Sequence, residues 1–346
     1  MARRRPGSVV SFTVVVVTWN GAQWIDNCLQ SILNQENDPN IILVDNGSSD
    51  DTVERANRIL EDNGSKAGSS TILRLNRNLG FPTGANRGMA AALKADPDLI
   101  GILLLNQDAH LEPGALHAFS RFMEKNSKAG ALGARILYPD RTSLQHAGGY
   151  LEHPRMVGLH FGHHEPVDEE KFSEAREVDY VTGAAMMLRA ECLRDLGLFE
   201  ELFSPGYYED VELCQRFIHN EWSVWYVPEA TVIHAESTSF SDRDLRLRLS
   251  HRNRLIFALP HFLKAATAEK FLNAESHFLI NDAHHDEVRA ISGAALDVLI
   301  LLPAAINARI GKTHIDTEGK DQVRQVLVSL RDACRKILTP SPNKGQ

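Results

Sequence analysis

The chain has 346 residues, of which 43% are hydrophobic and 24% are charged, and its formal net charge is -8. This is the composition of an ordinary globular protein, and the length suits one large domain or one domain with an appendage. The acidic balance argues against general nucleic-acid binding, which needs a basic surface, so we expect no nucleic-acid partner.

The four cysteines lie far apart and form no CxxC pair: they are Cys28, Cys192, Cys214 and Cys334. Zinc sites and small disulfide frameworks show closely spaced cysteines instead. The scattered spacing is typical of reduced thiols, and it favours a cytoplasmic protein.

Near the start of the chain, Arg3–Arg5 precede the apolar run Val9–Val17, an order that superficially resembles a secretory signal peptide. A signal peptide would be followed by a small-residue cleavage site, whereas this run is followed by Thr18-Trp19-Asn20-Gly21. Valine-rich runs of this length are typical of buried strands. We therefore predict that the run is the first strand of the fold.

Strands and helices then alternate along the first third of the chain, as judged from apolar periodicity. The predicted strands are Val9–Val17, Ile41–Val44, Ile72–Leu75 and Ile100–Leu105. The predicted helices are Ala22–Leu33, a helix from Asp50 or Asp51 through Leu60, and Gly84–Leu93. This order predicts an α/β fold with an open, mostly parallel Rossmann-like central sheet flanked by helices. No GxGxxG motif follows the first strand, which disfavours an NAD-binding domain.

Three of these strands end in pairs of polar residues: Thr18 and Asn20, Asp45 and Asn46, and Asn106 and Asp108. The carboxyl ends of parallel strands meet at one edge of a sheet, where ligands bind. A carboxylate beside an amide suits a divalent cation that bridges the phosphates of a nucleotide. A strand followed by a polar turn is the alternative, since Asn and Asp are ordinary turn formers.

The second half of the chain gives weaker signals. We predict a helix near Gly114–Asn126 and strands near Leu132–Leu137, Val178–Leu188 and Val224–Val227. The charged segment Leu151–Glu177 shows no clear periodicity and contains four histidines, and we expect a mobile excursion there. The His163-His164 pair within it can bind metal, but an exposed polar loop explains the composition as well and is preferred.

Two carboxylates, Glu209 and Asp210, follow Tyr207-Tyr208 where a helix is predicted to begin. Acidic residues in a first helical turn often interact only with the helix dipole. A fixed carboxylate flanked by aromatic residues is equally what a general base beside a sugar site needs. Both interpretations stay open on the residues alone.

Three further features are candidates for binding. Gly183 lies in a small-residue segment that another molecule can approach closely. His234 ends an apolar run, as Asp108 does, and is either structural or a ligand. A basic stretch, Arg246–Arg254, can hold a diphosphate through charge-assisted hydrogen bonds or form a solvated helix face.

Taken in order, the motifs resemble family 2 glycosyltransferases with the GT-A fold, and among them the rhamnosyltransferase-like branch. The resemblance covers about residues 9 to 258 and rests on Val17–Gly21, Val44–Asp50, Asn76–Phe81, Gly84–Gly88, Leu105–Asp108, Thr182–Ala184, Tyr208–Asp210, His234 and Arg252–Arg254. It implies that Asn106-Gln107-Asp108 occupies the place of the DxD motif, with Asn106 in place of its first Asp.

The resemblance also implies roles for individual residues. Asp210 corresponds to the catalytic base, with Glu209 supporting it or contacting the acceptor. Asp108 and His234 correspond to the metal site for Mg²⁺ or Mn²⁺. The residues implied in nucleotide-sugar binding are Thr18, Asn20, Asp45, Asn46, Asn86, Arg87, Asn106, Gly183, Arg252 and Arg254.

The activity implied is inverting transfer of a sugar, rhamnose from dTDP-rhamnose, to a hydroxyl of a saccharide or lipid-linked saccharide acceptor in cell-surface polysaccharide synthesis. Galactofuranosyl or other hexosyl transfer from a UDP-sugar is the alternative donor class. A degenerate nucleotide-sugar-binding module is the alternative without catalysis. A nucleotidyltransferase is disfavoured, because Thr18-Trp19-Asn20-Gly21 stands where such enzymes have a glycine-rich basic loop.

We expect a catalytic domain over residues 1–258, with a nucleotide-sugar half at about 9–110 and an acceptor half at 111–258. A helical region at 259–338 and a disordered tail at 339–346 follow. Within the helical region, Ala294–Ile306 is strongly apolar but interrupted by Asp297 and Pro303, so it falls short of a membrane span. A core helix, a contact in a homo-oligomer and a peripheral contact with the inner face of the cell membrane all fit it.

Overall fold

The computed structural model describes residues 11–36, 38–63, 69–167, 170–236, 242–310 and 317–339. The chain divides into two compact units. The first comprises Met1–Tyr150, His160–Pro205 and Glu209–Ser237, and the second comprises Leu151–Leu159, Gly206–Tyr208 and Thr238–Gln346. The predicted start of the first strand at Val9 and Val10, and the predicted tail beyond Thr339, lie outside the described residues.

Strands and helices follow one another in the predicted alternation. The strands are β1 Phe12–Thr18, β2 Asn40–Asp45, β3 Ser70–Arg74, β4 Gly101–Asn106, β5 Ala109–Leu111, β6 Ala129–Leu137, β7 Leu144–His146, β8 Gly149–Glu152, β9 Val157–His160, β10 Arg176–Glu177, β11 Ala185–Arg189 and β12 Ser223–His234. The helices are α1 Ile25–Leu33, α2 Thr52–Asp62, α3 Phe81–Ala95, α4 Ala115–Lys125, α5 Ala190–Leu196, α6 Glu209–His219, α7 Arg243–Phe262, α8 Ala265–Asn281, α9 His285–Ile310 and α10 Thr317–Leu338.

The first unit is built on one sheet, whose strand order is β10-β12-β6-β11-β4-β1-β2-β3. Its strands β3, β2, β1 and β4 are parallel neighbours, as predicted. Val14, Val15 and Val16 of β1 are completely buried, because both faces of this central strand are covered. The predicted fold class, a central sheet flanked by helices with a helical C-terminal region, is confirmed.

The other half of the sheet is mixed. Strand β11 runs antiparallel between β4 and β6, whereas β12 is parallel to β6. The predicted strand Val178–Leu188 is shorter than expected, since only its end forms β11. Strand β12 is longer than expected and pairs with β5, which places His234 opposite Ala109. This pairing brings the end of β12 to the segment that follows β4.

Helix α3 packs unusually close to the parallel strands. A Cβ atom on Gly88 would lie 2.3 Å from Val15 Cγ1 and 3.0 Å from Val44 Cγ2. Real Cβ atoms do not approach so closely, so only glycine allows this helix to lie against β1 and β2. The N-terminus of α3 is thereby held near the ends of these strands.

The segment expected to be a mobile excursion is largely structured where the structure describes it. It contains β9, a short 3₁₀ helix at Glu170–Phe172 and strand β10, which pairs with β12. The local periodicity was uninformative because these elements are only two to four residues long. Strand β10 forms by pairing with the distant β12 and β9 by pairing with its neighbour β8, so tertiary contacts rather than local pattern define them.

The second unit is helical, with α7, α8, α9 and α10 packed on one another. In the described part of the chain, one helix, α9, has the length and apolar composition of a membrane span, but 44% of its most apolar window is buried. Core helices of soluble proteins share these properties. Leu302 and Ile306 are buried in this helix, whereas Ile300 is 70% exposed.

Candidate functional site

The ends of three parallel strands are joined by hydrogen bonds around Thr18. Its hydroxyl donates to Gln107 Oε1 at 2.6 Å, and its carbonyl accepts from the Asn46 N–H at 2.7 Å. Gln107 Oε1 also accepts from the Trp19 N–H at 2.9 Å. A Cβ atom on Gly21 would lie 2.1 Å from Gln107 Oε1 and 2.7 Å from Thr18 Oγ1, so a larger residue there would have to displace this hydrogen-bonded pair. The polar residues that end β1, β2 and β4 therefore form one connected edge.

Asp45 lies at this edge with its side chain only 2% exposed. Its Oδ1 accepts from the Ser48 N–H at 3.0 Å, and Arg74 Nε lies 3.8 Å from Oδ2. Asn20 supports the same turn, since its Oδ1 accepts from the Ser49 N–H at 2.8 Å. The arrangement fixes a carboxylate at the strand end, where a hydroxyl or amide of a nucleoside can be recognised.

Two of the predicted donor-binding amides hold protein segments. Asn46 bonds to the Leu79 N–H at 2.9 Å and to the Gly80 carbonyl at 3.1 Å, so it shapes the loop that enters α3. Asn86 bonds to both the N–H and the carbonyl of Phe199, at 3.0 and 2.9 Å. Arg87, its neighbour on α3, is exposed. The amides of Asn46 and Asn86 are thus occupied in positioning backbone.

Asp108 and His234 meet where β5 pairs with β12. His234 Nε2 lies 3.2 Å from Asp108 Oδ1 and 3.3 Å from Asn106 Nδ2. Both Asp108 and His234 are buried, at 8% and 7% exposure. The strand pairing explains the contact, because His234 is opposite Ala109, the residue that follows Asp108. The structure therefore brings together the two residues predicted to bind a metal ion.

A carboxylate and an imidazole are oxygen and nitrogen ligands suited to Mn²⁺ and, through the carboxylate, to Mg²⁺. Within the residues that the structure describes, no three His, Cys, Asp or Glu side chains form a group that could hold a metal ion by themselves. Magnesium-type sites at phosphates commonly use one or two carboxylates and complete their coordination with substrate phosphates. Asp108 and His234 fit such a shared site.

Two residues at this site were missed from the sequence. Gln145 on β7 places its Oε1 2.7 Å from His234 Nδ1, and its amide donates to Glu236 Oε2 at 3.3 Å. Gln145 is 5% exposed. The only sequence signal is that Glu236 follows His234 by two positions, and nothing near Gln145 indicates a function.

Asp210 lies in the first turn of α6, and its carboxylate is held by backbone. Its Oδ2 accepts from the Gly183 N–H at 3.1 Å, and its Oδ1 accepts from the Val211 N–H at 2.8 Å. The next residue after Gly183, Ala184, accepts from the Asn106 N–H at 3.0 Å. Asp210 and Asn106 are therefore linked through one short segment that leads into β11.

Burial raises the pKa of the Asp210 carboxyl, although the hydrogen bonds from Gly183 and Val211 act in the opposite direction. Glu209 is buried, and burial together with the adjacent Asp210 charge raises its pKa well above the ordinary value. Among the described residues, Glu209 Oε2 has no hydrogen-bond partner. A carboxylate with a raised pKa is the form suited to accept a proton near neutral pH.

The predicted arginines belong to the second unit. Arg254 is 2% exposed and pairs with the fully buried Glu275, which also binds Arg155 Nε at 3.0 Å. Arg248 pairs with Asp297 on α9, so much of the basic stretch is matched by acidic residues of the same unit. Arg252 is partly exposed.

Tyr208, expected to line a sugar site, is buried in this second unit. Its hydroxyl donates to the Met156 carbonyl at 2.9 Å and accepts from the Gly158 N–H at 3.0 Å. The tyrosine therefore holds the short segment Leu151–Leu159 within its unit.

Three histidines of the predicted loop, His160, His163 and His164, pack with one another and with His146 of β7. His146 and His160 are edge to face with ring centroids 4.6 Å apart, and Tyr138 stacks on His164 at 5.0 Å. Tyr138 Oη lies 2.9 Å from His163 Nε2. Burial and the neighbouring His160 lower the pKa of His146 well below its ordinary value, so this ring is neutral in the folded protein.

Comparison with known proteins shows the class to which the chain belongs. The Glycosyl transferase family 2 profile matches residues 13–197, more than half of the chain. The chain belongs to this family and is a glycosyltransferase. It is similar to the N-acetylglucosaminyl-diphospho-decaprenol L-rhamnosyltransferase of Mycobacterium tuberculosis strain H37Rv, with 27% identity over 264 residues. The aligned region covers 70% of this chain and 82% of that protein.

Two solved structures share the fold at low sequence identity. TarS of S. aureus in complex with UDP-GlcNAc has a TM-score of 0.52 and 18% identity, over 93% of this chain and 92% of that chain. The mannosyltransferase PcManGT of Pyrobaculum calidifontis, in complex with GDP-Man and Mn²⁺, has a TM-score of 0.52 and 15% identity, over 94% and 86%.

Proposed function

We propose that the protein transfers rhamnose from dTDP-rhamnose, with inversion, to a hydroxyl of a lipid-linked saccharide acceptor in cell-surface polysaccharide synthesis. One observation carries the choice of sugar and acceptor: the similarity to the mycobacterial L-rhamnosyltransferase extends over 70% of this chain. That relative acts on a diphospho-decaprenol-linked sugar, as its name states. The arrangement of Asp108, His234 and Asp210 supports catalysis over binding without turnover.

In this proposal Asp210 is the general base. Its carboxylate accepts the proton of the acceptor hydroxyl while that oxygen attacks the anomeric carbon of the donor. Attack on the face opposite the nucleotide breaks the bond to the diphosphate oxygen and inverts the anomeric configuration. The bonds from Gly183 and Val211 to Asp210 hold the carboxylate in place before the acceptor binds. Glu209, buried beside it in the first turn of the same helix, is proposed to support the base.

The edge formed by Thr18, Asn20 and Asp45 is proposed to hold the nucleoside, with Asn46 and Asn86 shaping the loops around it. Arg87, Gly183 and Arg252 remain proposed donor contacts, whereas we assign Arg254 to the interior ion pair with Glu275. Asp108 and His234 would hold Mg²⁺ or Mn²⁺, which when bound neutralises charge on the leaving nucleoside diphosphate. Asn106 donates a hydrogen bond at the same place.

A lipid-linked acceptor implies that the enzyme works at the cytoplasmic face of the cell membrane. The partly exposed apolar face of α9, with Ile300 70% exposed, supports a peripheral contact there. We keep, as part of the proposal, a catalytic domain at 1–258, a helical region at 259–338 and a tail at 339–346. We also propose that the same face of α9 serves self-association.

The test is donor hydrolysis and binding across a panel of nucleotide sugars, with Mn²⁺, Mg²⁺ or EDTA, with and without lipid-linked GlcNAc diphosphate. We expect selective release of dTDP from dTDP-rhamnose, lost in EDTA, and faster turnover with the acceptor. If the protein releases UDP from UDP-sugars and no dTDP from dTDP-rhamnose, the donor is a UDP-sugar. Binding without turnover, even with the acceptor present, would make the protein a nucleotide-sugar-binding module.

A further inference from the structure

The first turns of α3 hold the 199–205 loop, a segment between α5 and α6 that leads to the proposed base. Asn86 Oδ1 accepts from the Phe199 N–H at 3.0 Å, and Asn86 Nδ2 donates to the Phe199 carbonyl at 2.9 Å and to Glu201 Oε1 at 3.2 Å. Asn86 and Phe199 are 8% and 4% exposed. Both amide hydrogens of Asn86 therefore have acceptors within the protein, and its NH₂ group is not available to a nucleotide sugar.

Three further contacts hold the end of the same loop. The Phe81 N–H donates to the Pro205 carbonyl at 2.9 Å, and Thr83 Oγ1 lies 3.1 Å from Ser204 Oγ. Gly80 approaches so closely that a Cβ atom on it would lie 2.6 Å from Pro205 Cα. Its φ of 85° is one that glycine adopts at no steric cost. One stretch of α3 thus binds the loop at its beginning and at its end.

Asp210 comes five residues after this anchored end. A chain spans at most about 3.3–3.6 Å per residue, so the anchor confines the start of α6 to within about 14 Å of Pro205. The same turn of α3 also touches the second support of Asp210. A Cβ atom on Gly183 would lie 3.1 Å from Phe81 Cε1, and the Gly183 N–H donates to Asp210 Oδ2. Helix α3 therefore contacts both segments that place this carboxylate.

The entry to α3 is tied in turn to the strand edge proposed to hold the nucleoside. Asn46 binds the Leu79 N–H at 2.9 Å and the Gly80 carbonyl at 3.1 Å through its side chain. The N–H of Asn46 donates to the Thr18 carbonyl at 2.7 Å. The entry to α3 thereby links this strand edge to the loop before α6.

Asn86 makes the largest share of the side-chain hydrogen bonds in this link. We infer that Asn86, assisted by Thr83, is a positioning residue that clamps the 199–205 loop to α3 and thereby fixes Asp210 relative to the strand edge at Thr18. A catalytic group displaced by about 1 Å can cost about 100-fold in rate, so the clamp acts on turnover. The inference rests on the proposed function in taking Asp210 as the base. It replaces the direct contact with the nucleotide sugar that the family resemblance implied for Asn86.

Asn86→Leu removes the amide while keeping the approximate size of the side chain. We expect kcat for rhamnose transfer, at saturating donor and acceptor, to fall by up to about 100-fold. The Kd for dTDP-rhamnose, measured by calorimetry, should stay at the wild-type value. A loss of donor affinity that matches the loss of rate would make Asn86 a donor contact and would overturn the inference.

Gln35→Met is the matched control, because Gln35 is a buried amide of the first unit that also bonds to backbone on both sides. Gln35 Oε1 accepts from the Leu116 N–H at 3.2 Å, and Nε2 donates to the Glu112 carbonyl at 3.1 Å. Both variants leave buried backbone groups unpaired, so both should lower the Tm. Only Asn86→Leu should lower kcat per donor-binding molecule. An equal fall of kcat in both variants would reduce Asn86 to a stabilising residue and overturn the inference.

Thr83 provides a second pair of variants, which decides the matter if Asn86→Leu does not fold. Thr83→Val keeps the shape of threonine without the hydroxyl, whereas Thr83→Ser keeps the hydroxyl that meets Ser204. We expect kcat to fall in Thr83→Val and to be retained in Thr83→Ser, with donor affinity unchanged in both. Equal rates in the two variants would show that the loop needs no clamp, contrary to the inference.

Hydrogen exchange resolved to single amides gives a readout that needs no activity. The Gly183 and Val211 N–H groups bind the two carboxylate oxygens of Asp210, so their exchange rates report whether this carboxylate is held. In Asn86→Leu we expect both amides to exchange about 2- to 10-fold faster, the effect of losing about one hydrogen bond, while Gln35→Met matches the wild type. Unchanged exchange in Asn86→Leu would overturn the inference. If the wild type transfers no sugar, the proposed function fails, and the exchange rates alone decide whether Asn86 positions Asp210.

Discussion

The Asp210 carboxylate, in the first turn of α6, accepts a hydrogen bond at 3.1 Å from the N–H of Gly183, 27 positions earlier in the chain. Gly183 precedes β11, the strand that runs antiparallel beside β4. The mixed part of the sheet thereby fixes the proposed base relative to the end of β4, where Asn106 and the proposed metal site begin.

Replacing Asp210 with asparagine removes the proposed base while keeping the size and shape of the side chain. General-base catalysis contributes about 10²- to 10⁴-fold, so we expect the transfer rate to fall by that factor and donor affinity to change little. Steady-state transfer and calorimetric donor titration measure the two quantities. Glu212→Gln on the same helix, which removes a carboxylate paired with Arg216, serves as the control and should retain its rate. A parallel loss of donor affinity would assign Asp210 to binding.

Glu209→Gln tests the buried carboxyl. Because burial and Asp210 raise the pKa of Glu209 in the folded protein, its proton is bound more tightly there than in the unfolded chain. The associated stability is fully present below the unfolded pKa and is lost as pH rises through the raised folded pKa. Glutamine cannot ionise and does not lose this stability. The Tm of the variant minus the Tm of the wild type should therefore increase as pH rises from mildly acidic to alkaline. A Tm difference that does not change with pH would contradict this.

Asp108→Asn removes the proposed carboxylate ligand with little change in shape. We expect donor affinity in Mn²⁺ to fall by at least about 10-fold, as for disrupted metal sites, and to become insensitive to EDTA. Fluorescence or calorimetric titration with dTDP-rhamnose, with and without chelator, measures both effects. Asp140→Asn, at an exposed turn where the carboxylate accepts from the Thr142 N–H at 2.8 Å, is the matched control. Chelator sensitivity that survives in Asp108→Asn would remove Asp108 from the metal site.

Glu275→Ala leaves Arg254 and Arg155 as cations without their buried partner. Removing one member of a buried ion pair costs about 3–5 kcal/mol of the free energy of unfolding, which denaturant titration measures. The control is Arg243→Ala, because Arg243 is 67% exposed in its pair with Asp286 and a surface pair contributes about 0–1 kcal/mol. Arg254 holds the pKa of Glu275 below its ordinary value despite burial, so this stabilisation is lost as pH falls below the unfolded value and through the folded one. A similar loss of unfolding free energy in both variants would show that the ion pairs of Glu275 contribute no more than a surface pair.

Local pattern was sufficient for the parallel half of the fold, since the four strands were found from their apolar runs and β1, β2 and β4 end in the polar groups that mark the binding edge. It could not give the mixed half, because β5 and β10 have three residues or fewer and pair with the distant strand β12. The same limit applied to the site. Asp108 and His234 could be paired through a family resemblance, whereas Gln145 lies 89 positions from His234 and is placed by tertiary structure alone.

Segments Leu151–Leu159 and Gly206–Tyr208 belong to the helical unit although each is surrounded in sequence by the first unit. The helical part is consequently not a detachable module. Cutting the chain before α7 would remove Glu275, the ion-pair partner of Arg155. It would also remove Phe257, whose ring centroid lies 5.9 Å from that of Tyr208. An exchange of C-terminal helices between related enzymes would have to carry these two inserted segments with it, so the three stretches are expected to change together in any chimera that folds.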